Sequence, residues 1–420
     1  MKNPILTALG ILAIAASGCD ARPSDHSAGT ATTSPAATEA DFTYESLVAL
    51  IGKPDDFEVA RELGERLPRM GPGSIPAMQE VLIDAATLEL DPVEHQLLMR
   101  YWARHDPAAA AWFALARTPR AYRVGAIHAT VRTWAAQDPE KALVTVRPFM
   151  NEGGDAGAAA QVAFVRGWYE SGKPGLEEYM VDLGLGFDRQ RALTAFSTAM
   201  IRDKGVDALL KWAEGVPTTN QQYKLEVFRS VGRALVPFDL MAAQRFCDAH
   251  CEGPFGSNLR DRIASRWADK DGPAAIEWVA KAPQSEERDV ALRYTYAVWS
   301  RRVPNEALPW MKKKLEASPQ DPWLEPILPI YARVLGKTVD LEQGLAVADK
   351  LAGPLERESI MVEILRYWRQ KGPKEEAVAE AWLEKNKPSK EFLDRVRAPQ
   401  TKIEALEQER DQRLASAPKP

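Results

Sequence analysis

The chain is poor in the residues that metal proteins and many enzymes depend on. Three cysteines and five histidines are spread over 420 residues. Only Cys247-Asp248-Ala249-His250-Cys251 gathers them, and no second Cys/His cluster completes a four-ligand metal site. The sequence contains no His-Glu-x-x-His, no Gly-x-x-x-x-Gly-Lys phosphate loop and no Gly-x-Ser-x-Gly elbow. Leu183-Gly184-Leu185-Gly186 lacks the third glycine and the preceding strand of a dinucleotide loop, so it reads as a connection. No local motif pairs a nucleophile with His26, His95, His105, His128 or His250. No catalytic, cofactor or metal site is therefore expected. Positive charge is not in excess either: 54 Lys and Arg face 59 Asp and Glu, a formal charge of −5. That balance argues against nucleic acid as the main partner and against an electrostatic grip on anionic lipid. The apolar run from Ile5 to Ala16 is too short to be read as a membrane span.

A repeated phrase is what the chain does have. In Ile263-Ala264-Ser265-Arg266-Trp267-Ala268-Asp269-Lys270-Asp271-Gly272-Pro273-Ala274-Ala275-Ile276-Glu277-Trp278, Leu259, Ile263 and Trp267 fall on one face of a helix. Gly272-Pro273 ends that helix, and Ala275, Trp278, Val279 and Ala282 form the face of a second one. In two other copies, Asp106-Pro107 and Asp138-Pro139, aspartate is placed as an N-cap with proline at the first helical position. Turns are expected at Pro107, Pro139, Pro174, Gly205, Pro237, Pro273, Pro304, Gly336 and Pro373, spaced 31 to 37 residues apart. A large residue precedes most of them: Trp102, Trp134, Trp168, Met200, Trp267, Trp299, Tyr331 and Trp368, with only Val231 or Gly232 in the Pro237 copy. Alanine follows several of them, at Ala110, Ala142, Ala208 and Ala307, where a small side chain lets two helices cross closely.

The segment Trp134…Asp138-Pro139-Glu140-Lys141-Ala142-Leu143 resembles the aromatic-to-alanine part of the tetratricopeptide repeat, with Pro119, Pro217, Pro283 and Pro388 as closing prolines. It departs from that family in lacking the Leu-Gly pair of the first helix and in centring its turn on proline, so it looks like a Trp-Ala-x-x-Asp-Pro variant. The resemblance spans roughly residues 60–390. It implies an all-α, right-handed superhelix of about nine or ten helical hairpins, and a surface that binds proteins or peptides.

The N-terminus reads as a secretory signal ending Ala16-Ser17-Gly18-Cys19. This resembles a bacterial lipobox, which implies lipidation of Cys19 and an address at a membrane facing the periplasm. Asp20 resembles the signal that retains lipoproteins in the inner membrane. The expected organisation is therefore a signal peptide at 1–18, a flexible Ser/Thr/Ala/Pro tether at 19–41, a repeat array at 42–395 and a polar helix and tail at 396–420. A tether of that length reaches roughly 25 Å. Within the array an irregular unit is expected around Met70-Gly71-Pro72 and a longer loop at Asn151-Glu152-Gly153-Gly154-Asp155.

Three readings stay open for Cys247 and Cys251: a disulfide, since an exported chain meets an oxidising compartment and Cα atoms at i,i+4 lie about 6 Å apart; two separate thiols; or a metal site with His250. The twelve tryptophans mostly occupy repeat positions, which packing explains; a tryptophan that binds sugar should break the register, as Trp323 and Trp382 do. Glu177-Glu178, Glu286-Glu287 and Glu375-Glu376 suit helix starts, and Lys312-Lys313-Lys314 suits a solvated helix face. The function expected is that of a membrane-anchored, non-enzymatic periplasmic scaffold or adaptor for envelope proteins. The alternatives are glycan or ligand capture on the repeat face, and the non-catalytic arm of a cell-wall enzyme.

Overall fold

The computed structural model describes residues 41–398. The expected signal peptide, Cys19, Asp20, nearly all of the tether and the C-terminal tail lie outside the described residues. Among the described residues there are 22 α-helices and no strand. After α1 (Tyr44–Ile51) they run as ten antiparallel pairs, here called A then B. The first five are α2 (Asp56–Arg66) with α3 (Ile75–Ile83), α4 (Pro92–His105) with α5 (Pro107–Ala116), α6 (Arg120–Gln137) with α7 (Pro139–Glu152), α8 (Gly154–Ser171) with α9 (Leu176–Asp182), and α10 (Phe187–Lys204) with α11 (Val206–Gly215). The next five are α12 (Gln221–Leu235) with α13 (Leu240–His250), α14 (Leu259–Trp267) with α15 (Gly272–Ala280), α16 (Glu286–Arg302) with α17 (Pro304–Ala317), α18 (Leu328–Thr338) with α19 (Leu341–Ala348), and α20 (Pro354–Lys371) with α21 (Pro373–Asn386). The last, α22 (Lys390–Arg397), packs on α20 and buries Phe392 and Val396, so it runs across the boundary expected at 395/396. None of the described helices is long and apolar enough to cross a membrane.

The pairs are built at the Asp-Pro corner. The Asp138 N–H donates to Trp134 O (2.8 Å), its carboxylate accepts from Lys141 N (3.1 Å), and its carbonyl accepts from Ala142 N (3.0 Å). One residue thus closes helix A and opens helix B, and the orphan polar groups of both ends are satisfied without a linker. The backbone shape recurs: φ/ψ is −136/81 at Asp106, −150/89 at Asp138, −151/94 at Asp239 and −148/88 at Asp271. In the Asp106 and Asp138 copies the proline that follows suits this extended setting, because it disfavours the helical region for the residue before it. The residue after the corner that reaches helix A is small and buried: Ala110, Ala142, Ala243, Ala275 and Ala307 are all 0% exposed.

Four expectations fail in informative ways. Gly336 is not a turn; it lies inside α18, and the corner is Asp340, which caps Gln343 N at 2.8 Å. A Cβ on Gly336 would crowd the Ile364 side chain of α20, and a Cβ on Gly344 of α19 would overlap the Gly336 backbone. In the Gly205 copy the contact residue is Leu209, fully buried, and not the half-buried Ala208. In the Pro237 copy the position of the large residue is held by buried Leu235, whose carbonyl accepts from Asp239 N, and not by Val231 or Gly232. The loop expected at 151–155 shrinks to Gly153, which with Gly154 has positive φ (74° and 64°) and lets α7 and α8 run almost end to end.

Each A helix packs on the next A helix from α2 to α22; each B helix from α5 on packs on its own A helix and, up to α19, the following one, whereas α3 packs on α1 and α4. B helices scarcely touch one another, α5 with α7 excepted. The A helices therefore form a tight layer and the B helices a looser one. The apolar core follows the array in three consecutive clusters, joined through the shared neighbours Trp267 and Trp278, then Leu328 and Val347.

The tightest A–A approach tests this packing. A Cβ on Gly167 of α8 would overlap the Arg132 carbonyl of α6. Gly167→Ala, although alanine favours helix by about 1 kcal/mol, should lower stability by about 1–3 kcal/mol because backbone cannot move aside as a side chain can; urea unfolding followed by circular dichroism measures it. Asp138→Ala should cost about 1 kcal/mol by the same assay, through loss of the cap alone.

Candidate binding groove

One copy of the corner is different, and an opening forms there. Between α8 and α9 the Asp-Pro junction is replaced by Gly172-Lys173-Pro174-Gly175, with Gly172 and Gly175 at φ 64° and 97°. The wider turn is held by Trp168, whose Nε1 donates to Pro174 O (3.2 Å), and by the Ser171 hydroxyl, which donates to Trp168 O (2.6 Å). Beside it lies a groove of about 830 Å³, walled by α6, α8, α9 and α10.

Its polar lining is mostly committed, with Glu178, Arg166 and Arg202 as exceptions. Arg132 holds Glu170 through two hydrogen bonds, one of 2.8 Å. Tyr169 donates to Asp203 at 2.8 Å, and burial together with that carboxylate pushes its hydroxyl up to about 12. Lys204 sits 5.8 Å above the Tyr169 ring. Glu177 accepts from Trp212 Nε1 at 3.1 Å, while Glu178 stands exposed in the first turn of α9. Arg166 and Arg202 make no hydrogen bond or ion pair among the described residues. Burial and the nearby Arg202 and Arg132 hold the Arg166 guanidinium below its ordinary value. Groups that repel each other in this way favour an incoming anion. The groove thus offers two uncommitted guanidiniums over an aromatic floor.

The positions marked in the sequence lie elsewhere. Cys247 and Cys251, in the last turn of α13, are joined by a disulfide with Cα atoms 4.8 Å apart, and both are buried. His250 turns away from them, its Nε2 3.4 Å from Glu214 and its ring edge-on to Phe228 and Phe246. No group of three or more metal-ligating side chains occurs among the described residues. Trp323 packs beside Trp310 (centroids 6.2 Å apart) and Trp382 against the last core cluster, so both break the register yet serve packing. The exposed tryptophan is instead Trp112, 48% exposed, with Arg117 over its ring at 5.3 Å. The acidic pairs do occupy the first turns of α9, α16 and α21, and Lys314 pairs with Glu277 at 2.7 Å. His105 lies edge-on to Tyr101, and His128 is half-buried near Arg166 and Arg132, which with burial lower its pKa. His26 is outside the described residues.

Sequence reasoning missed the groove arginines, although a signal existed for Arg132 and Arg166, and not for Arg202, which stands at another offset. Arg100, Arg132, Arg166 and Arg233 stand at the same offset before the corners at 106, 138, 172 and 239. A repeated charge at one register position marks a shared face.

No family model and no curated protein matches the chain. Among solved structures it is similar to an engineered protein determined by the Northeast Structural Genomics Consortium, at 15% identity over 78% of this chain and 99% of that one, with a TM-score of 0.23. A likeness that slight carries no conclusion about fold or function.

His95 gives a prediction from this region. It is fully buried, stacked on Tyr122 at 4.7 Å, and neither ring nitrogen has a partner. Burial lowers its pKa from 6.5 to about 4. Between those values the unfolded chain binds the proton and the folded one does not, so stability is lost as the pH falls. His95→Phe, which keeps a ring on Tyr122, should flatten the slope of unfolding free energy against pH in that window; an unchanged slope would assign the effect to other groups.

Proposed function

We propose that the protein is a scaffold or adaptor that takes an acidic segment of an envelope protein on its A-helix face, held at a bacterial membrane by a lipid on Cys19. The observation that carries the reading is the groove at Arg166 and Arg202: two guanidiniums without partners, over Tyr169 and Trp168, on the layer of helices that pack continuously. A tight A layer beside a loose B layer bends an array toward its A side, and stacked repeats use such a concave surface to hold extended partners. Arginine and aromatic side chains are also the groups that dominate binding energy at protein interfaces. The lipid anchor and the periplasmic address rest on the sequence around Ala16-Ser17-Gly18-Cys19, and the tetratricopeptide-like reading rests on the Trp-to-Asp-Pro phrase.

The test is capture of partners from gently solubilised, crosslinked envelopes, read by mass spectrometry. Wild-type protein should retain a stoichiometric protein partner. Cys19→Ala should reduce its recovery by removing the anchor, and Arg166→Glu with Arg202→Glu should weaken binding of the purified partner by roughly tenfold or more, about 1.4 kcal/mol. Background proteins alone, with the bait pelleting on cell-wall sacculi, would refute the adaptor and favour glycan capture.

A further inference from the structure

A second opening on the A face, between α10, α12 and α14, is smaller. Its volume is about 210 Å³, and its lining includes Phe187, Gln190, Glu226, Arg229 and Arg262. That is below the range of drug-sized pockets, about 300–1,000 Å³, and suits a single charged group. Phe187 at its mouth is 77% exposed.

The charges around it do not balance. Glu226 is already held by Arg189 at 2.9 Å. Arg229 spends its hydrogen bonds on neutral acceptors, the Ser257 carbonyl (2.7 Å) and hydroxyl (3.4 Å). Arg233 has no hydrogen bond or ion pair among the described residues. Arg262 has a buried Nε with no hydrogen-bond partner; the nearest carboxylate oxygen, Asp261 Oδ2, is 4.0 Å away. Asp261 itself is 4% exposed, and its Oδ1 has no partner. Three guanidiniums on adjoining helices thus share one buried carboxylate that none of them engages at hydrogen-bond distance.

We propose that this pocket is an oxyanion site, taking a carboxylate or a sulfate- or phosphate-like group between Arg229 and Arg262, and that Asp261 competes with the ligand so that binding tightens as the pH falls. The site stands on residues other than those of the partner groove, and it can fail without touching that reading. Burial, with the repulsion of Arg262 added to it, holds both Arg229 and Arg233 below their ordinary values. Burial pushes the Asp261 carboxyl up to about 6, against the pull of Arg262, Arg229 and Arg233. The other charged or titratable neighbours act on the arginines: Glu226 of α12 and Glu287 of α16 on Arg229; Arg266 of α14, Asp269 beyond its end and Tyr294 of α16 on Arg233. None of these comes from α13 or α15. The sign follows directly. Above a pH of about 6 Asp261 is ionised and offsets part of the cluster's charge. Below it the carboxyl is protonated, the guanidiniums lose their internal counterion, and an external anion is held more firmly.

The experiment is thermal unfolding of the full chain with sulfate, whose charge is constant over the range, against chloride at equal ionic strength. A ligand that binds only the folded state raises the melting temperature. Sulfate should stabilise wild-type protein more at about pH 5 than at about pH 7.5, with an apparent affinity roughly threefold or more tighter. Asp261→Asn, which is isosteric, should show the tighter binding at both pH values. Arg262→Gln should lose the sulfate response. Acetate in place of sulfate distinguishes the source: a response to acetate alone points to a carboxylate, and a response to sulfate alone points to a sulfate- or phosphate-like group. No specific response to either anion at the lower pH overturns the site. So does an Asp261→Asn variant that keeps the wild-type pH dependence, or a folded Arg262→Gln variant that still responds.

Discussion

The architecture depends on a single residue doing two jobs. At Asp106, Asp138 and Asp271 the backbone N–H ends one helix, and the side chain and carbonyl start the next. At Asp106 and Asp138, where no spare residue stands at the corner, the angle between the two helices is fixed by covalent geometry as much as by packing. Alanine four positions on then lets helix B lie close to helix A, and the aromatic late in helix A fills the space beside it. Trp299 shows the arrangement: 2% exposed, its ring stands edge-on to Trp310 of the following B helix, and Gly272 packs against the same ring. Each pair is a stiff corner, and the array is the sum of such corners stacked through their A helices.

How much of this could be read in the sequence follows from how local each cause is. Asp-Pro with tryptophan before and alanine after is a statement about a few consecutive residues, so the helix pairs, their number and their approximate length were legible. Gly336 was misread because its reason is tertiary. A glycine within a helical pattern looks like punctuation, and only the close approach of Ile364 and Gly344 from other helices explains why it is there. Leu235 was passed over because an aliphatic residue can fill a position that aromatics fill elsewhere. The groove was illegible for a third reason. It arises where α8 and α9 abandon the Asp-Pro corner, and its chemistry comes from arginines on three successive A helices that are far apart in sequence. The shared register position of Arg132 and Arg166 was visible, but the lack of partners at Arg166 and Arg202 was not.

The A face has a consistent electrostatic character despite a net acidic chain. Arg132, Arg166 and Arg202 meet at the first opening, and Arg229 and Arg262, with Arg233 behind them in the same charge cluster, at the second. Acidic side chains interleave and absorb much of that charge, as in Arg132–Glu170, Arg189–Glu226, Arg266–Asp269 and Arg333–Glu363. Binding capacity is left at the few places where this internal pairing is incomplete. That explains how a chain of net charge −5 can present sites for anions.

The two edges of the array also differ in how much change they can absorb. The A-to-B corners at 106, 138, 205 and 303 each consist of one residue whose backbone groups are engaged on both sides. The B-to-A connections range from Gly153 alone to the stretches 251–258 and 318–324. An inserted residue at a corner would turn every helix beyond it, whereas one in a B-to-A connection only lengthens a surface loop. Variation in repeat length is thus channelled to a single edge, which can be rewritten over evolutionary time while the opposite edge keeps the pitch of the whole assembly.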